Sequence, residues 1–67
     1  MTPEEIREAR KILGLTQARF GEMLHATLKT VQDWEYGRRK MQKVTQELLQ
    51  RKMEEKGLQM PGPRNPT

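Results

Sequence analysis

Between Thr27 and Lys43 the chain gathers the side chains best suited to recognition chemistry. Lys29, Thr30, Gln32 and Asp33 come in close succession, and Arg38, Arg39, Lys40 and Lys43 follow. A lysine donates to guanine O6 and N7, a glutamine pairs with adenine, an aspartate accepts from cytosine N4, and Leu28 can touch a thymine methyl. The cations suit phosphate instead. Any one of these residues taken alone is more often an ordinary solvated surface group, so their order and surroundings must carry the argument.

The charge distribution separates this segment from the rest. The formal net charge is +4, yet residues 1–26 are neutral overall. Residues 27–43 hold Lys29, Arg38, Arg39, Lys40 and Lys43 against Asp33 and Glu35, net +3, and the remaining +1 lies beyond. Such a concentration is the pattern of a polyanion-binding face. Trp34 stands inside the same stretch, which implies an element anchored in a core on one side and solvated on the other.

Composition excludes several classes of function. A chain of 67 residues with no cysteine and one histidine has no disulfide framework, no thiolate metal site and no catalytic dyad. It has no glycine-rich phosphate loop after a strand and is too short to enclose a substrate pocket, so neither an enzyme nor a small-molecule substrate is expected. No cofactor or metal is implied. No apolar run approaches the roughly 20 residues of a membrane span, and the start MTPEEIREAR is acidic and amphipathic rather than signal-like. A cytoplasmic protein without membrane contact is the expectation.

Local signals position the recognition segment within an all-α fold. Thr2, Pro3 and Glu5 form a capping-box start, Ile6, Ala9 and Leu13 give one stripe, and Gly14 ends the first helix. Thr16 caps a second helix with Phe20, Met23 and Leu24 on one face. Thr27 caps a third, in which Leu28, Val31 and Trp34 recur and Gly37 is the stop. A fourth runs from about Gln42 to Lys56 with Val44, Leu48, Leu49 and Met53 on one side. The expected architecture is a small bundle of four helices, or five if residues 38–44 form a turn of their own. Residues 1–57 make the domain; residues 58–67, rich in proline, make a disordered tail.

Only about three residues separate the second helix from the third, too few for an antiparallel hairpin, so the two must cross steeply. Gly21 then permits close approach. If Val31 and Trp34 point inward, Lys29 and Asp33 point away, with Gln32 and Tyr36 beside them and Leu28 and Thr30 on the flanks.

The run LGLTQARFGEMLHATLKTVQDWEYGRRKM, residues 13–41, resembles the helix-turn-helix of the lambda-repressor-like family, the phage repressor and Cro type also called the xenobiotic-response-element family. The resemblance implies a sequence-specific double-stranded DNA-binding regulator, acting as a homodimer or a weakly self-associating monomer. It puts Thr27, Leu28, Lys29, Thr30, Gln32 and Asp33 on the part of the recognition helix that enters the major groove, with helix 28–36 as that element. Of these, Thr27 is expected at a phosphate and the other five at bases. It puts Thr16 and Gln17 at a phosphate beside the second helix's start, and Tyr36, Arg38, Arg39, Lys40 and Lys43 on the DNA backbone. Arg10 and Glu35 occupy the positions of a structural ion pair. His25 departs from the family's usual turn glycine and must take positive φ at some cost. The alternative is an antitoxin-like role, binding a partner protein as well as an operator, with Leu49, Met53, Leu58 and Met60 as an apolar patch.

Overall fold

Threonine side chains decide where three of the helices begin. In the computed structural model, which describes residues 1–61, Thr2 Oγ1 accepts from Glu5 N at 3.1 Å while the Glu5 carboxylate accepts from Thr2 N at 2.8 Å. Thr16 and Thr27 accept from Arg19 N and Thr30 N at 3.2 and 3.1 Å. Each such cap satisfies an amide that the helix leaves open, and losing one costs about 1 kcal/mol. The helices that follow are α1 (Pro3–Leu13), α2 (Gln17–Met23) and α3 (Leu28–Tyr36), with α4 (Lys43–Glu55) beginning after Gln42 without a side-chain cap. Among the described residues there is no strand, and residues 38–42 form no fifth helix. Nor is any helix there long and apolar enough to cross a membrane.

α3 is the central element, packed against both α1 and α2. It contributes Val31 and Trp34 to a core completed by Ile6 and Ala9 of α1, Phe20 of α2, Leu24, Met41, and Leu49 and Met53 of α4. Met41 lies in the connection to α4, where its carbonyl accepts from Gln46 Nε2 at 2.9 Å. The connection between α2 and α3 is tight. Ala26 N donates to Gly21 O at 2.8 Å, and His25 takes a φ of 59°. A Cβ on Gly21 would lie 2.7 Å from Ala26 O and 3.2 Å from Val31 Cγ2. Only glycine lets the turn and α3 come this close.

One expectation needs correction: Val44, assigned to the apolar side of α4, is 67% exposed in the first turn of that helix. Leu28, placed on the flank of α3, is 46% exposed. Beyond Gly57 the chain continues to pack. Leu58 N donates to Met53 O at 2.8 Å, and Leu58 and Met60 rest against the core. The rest of the expected tail, residues 62–67, lies outside the described residues.

Candidate functional site

The site is built on a polar junction beneath it. Glu35 is only 2% exposed, yet it is charged. Arg10 reaches it with two bonds, Nε to Oε2 at 2.7 Å and Nη2 to Oε1 at 3.2 Å, and spends Nη1 on Leu15 O at 3.2 Å. Gln17 Nε2 donates to Glu35 Oε1 at 3.1 Å, and Arg7 Nη1 donates to the Glu35 carbonyl oxygen. One carboxylate of α3 thus ties α1 and α2 together, with every buried side-chain polar atom among the described residues satisfied. A two-bond guanidinium–carboxylate pair fixes orientation as well as distance, so α3 is held in rotation.

With α3 so fixed, Lys29 and Tyr36 are exposed, Leu28 stands out from the first turn, and Thr30 and Gln32 are half-buried. The hydroxyls of Thr27 and Thr30 lie 3.0 Å apart and share a hydrogen bond. The Asp33 side chain is 16% exposed, with Arg38 Nη1 at 3.8 Å from its Oδ1. The cause is the helix end: Gly37 at φ 80° turns the chain back, and Arg38 N and Arg39 N donate to Asp33 O at 2.9 and 3.2 Å. The Arg38 guanidinium also stands 5.4 Å from the Tyr36 ring centroid, within cation–π range. Asp33, Tyr36 and Arg38 therefore form one cluster at the C-terminal end of α3.

Gln17 is half-buried with its amide bonded to Glu35, whereas Thr16 at the start of α2 is exposed. Arg39, Lys40 and Lys43 are exposed. Arg39 and Lys40 line one open cleft of about 540 Å³ together with His25, Thr27, Thr30 and Gln42. This brings the cations after α3 to the same surface as the residues that begin it. Neither α3 nor α4 has an acidic residue in its first turn, in contrast to Glu4 and Glu5 in α1. Both helices therefore present uncompensated positive N-terminal ends, and Lys43 adds to one of them. Together these groups make a cationic, hydroxyl-bearing surface suited to a polyanion with spaced acceptors.

The sequence argument missed Arg7, although its place one turn before Arg10 puts both on one side of α1. It also missed His25 and Gln42 as cleft residues, which only the fold brings together. Of the expected apolar partner patch, Leu49 and Met53 are wholly buried, while Leu58 and Met60 are partly buried and pack against the core. Compared with protein-family models, curated proteins and solved structures, the chain matches none. The functional reading rests on the residues themselves.

Proposed function

We propose that this chain is a sequence-specific double-stranded DNA-binding regulator of the lambda-repressor-like, helix-turn-helix kind. In this reading the outer face of α3 enters the major groove. Leu28, Lys29, Thr30 and Gln32 meet base edges, while Thr16, Thr27, Tyr36, Arg38, Arg39, Lys40 and Lys43 meet phosphates. The observation that carries it is the shared cleft, in which Arg39 and Lys40 stand beside Thr27 and Thr30. Base-reading groups and phosphate-binding cations must lie on one surface if a single duplex is to touch both, and the cleft that Thr30 shares with Arg39 and Lys40 supports this reading. Asp33 is read as the partner that steadies Arg38, and Gln17 as part of the junction under α3.

The test is selection of binding sites from a random duplex pool, followed by affinity measured against salt. The expected result is one enriched motif, with log K falling linearly as log salt rises. A pool that yields no enriched motif, or binding indifferent to salt, would sink the reading.

A further inference from the structure

Among the described residues, His25 alone takes a positive φ without being glycine. Glycine reaches a φ of 59° freely, whereas a side chain there strains the backbone. Strain held at such a position calls for a use of the side chain. Packing does not supply one: His25 is exposed, and among the described residues its ring has neither a hydrogen-bond nor an ion-pair partner. What the ring does have is a place. It lines the open cleft together with Thr27 and Thr30 of α3 and Thr45 of α4, beside Arg39 and Lys40, and no residue lining that cleft is acidic.

We infer that His25 is a further duplex contact, one that meets a phosphate as its imidazolium and so couples the binding of DNA to the uptake of a proton. The contact rests on the DNA-binding reading and adds to it a dependence on pH. Lysine and arginine side chains hold their charge from about pH 5 to 8, whereas an imidazole changes charge within that range. His25 is the only histidine of the chain, so a response there singles it out.

The direction follows from the surroundings. A phosphate beside the ring favours its charged form. The complex then binds more protons than the free chain, and by linkage the affinity rises as pH falls. Arg39 and Lys40 are the charged groups that share the cleft with the ring. Both repel an imidazolium, and a phosphate set among the three offsets that repulsion. The remaining polar neighbours, threonines and Gln42, carry no charge to change.

Affinity of the full chain for a short mixed-sequence DNA duplex, measured from about pH 5.5 to 8, tests the inference, because a phosphate contact needs no particular sequence. The wild type should bind more tightly at the acid end, by up to about tenfold per pH unit, the limit for one proton. Its salt slope should be steeper there by up to about 0.9, the coefficient for one phosphate. His25→Gly, which suits the backbone at this φ, should bind alike at both ends, and His25→Lys should keep the tighter binding throughout. Circular dichroism at both ends checks that each variant is folded. A wild type whose affinity ignores pH, or a pH response that survives in His25→Gly, overturns the inference and leaves the DNA-binding reading standing. A chain that binds no duplex at either end overturns both.

Discussion

Glu35 shows how unequal the two halves of an ion pair can be. Arg10 keeps 20% of its side chain in contact with solvent and has Leu15 O as a second acceptor, whereas Glu35 is sealed at 2%. Arg10→Met would leave a buried carboxylate with Gln17 as its main donor, and we expect a loss of about 3–5 kcal/mol. Glu35→Leu strands the less buried partner and should cost less, and the double variant should cost less than the sum. Urea unfolding of the four species gives the coupling energy; additive losses would remove the junction from the account. Asp33 makes a different prediction. Asp33→Asn removes a charge that repels phosphate and releases Arg38 from its carboxylate, so affinity for all duplexes should rise. The salt slope should steepen by at most about 0.9, the coefficient for one phosphate, as Arg38 gives its whole charge to a contact it shares with Asp33 in the wild type; an unchanged affinity would mean that Asp33 holds no charge back from DNA. The Arg10–Glu35 pair was legible in the sequence through the resemblance, whereas the partners of Gln17 and Asp33 were not. Gln17 is drawn to Glu35 across 18 positions, and Arg38 reaches Asp33 only because Gly37 reverses the chain. Local sequence patterns carry neither fact.

At the scale of the element, the boundaries were the most legible feature. Thr2, Thr16 and Thr27 announce helix starts because a cap is a bond between neighbours in sequence, and Gly14 and Gly37 announce ends for the same reason. What escaped was the extent of burial. The apolar period of α4 runs on through Val44, which is exposed, because a period alone does not say which of its members a neighbour covers. The α2–α3 turn offers the sharpest test at this scale. Alanine is normally the better helix residue by about 1 kcal/mol, yet a Cβ on Gly21 would press on the backbone carbonyl of Ala26 at 2.7 Å. Gly21→Ala should therefore lower stability by about 1–3 kcal/mol, the usual range for overpacking. A more stable variant would show that the turn yields freely.

For the molecule as a whole, the question is whether the cations act as one surface. Arg39→Ala and Lys40→Ala should each lower the salt slope of duplex binding by about 0.9 and weaken all sequences alike, whereas Lys29→Ala should relax preference at a single base pair, by about 1–3 kcal/mol. Titrations against a selected site and a scrambled duplex, at several salt concentrations, separate these outcomes. Equal effects of all three variants on specificity would put base reading elsewhere. The Glu35 junction also bears on how the domain opens. Its hydrogen bonds join α1, α2 and α3, while α4 enters the core through Leu49 and Met53 and, among the described residues, makes no side-chain hydrogen bond to those three helices. Native-state hydrogen exchange should thus find two layers of protection: the amides of α1 to α3 exchanging together in the slowest class, and those of α4 escaping first through a partial opening. A molecule tied in this way can loosen its last helix while the surface formed by its third stays in place.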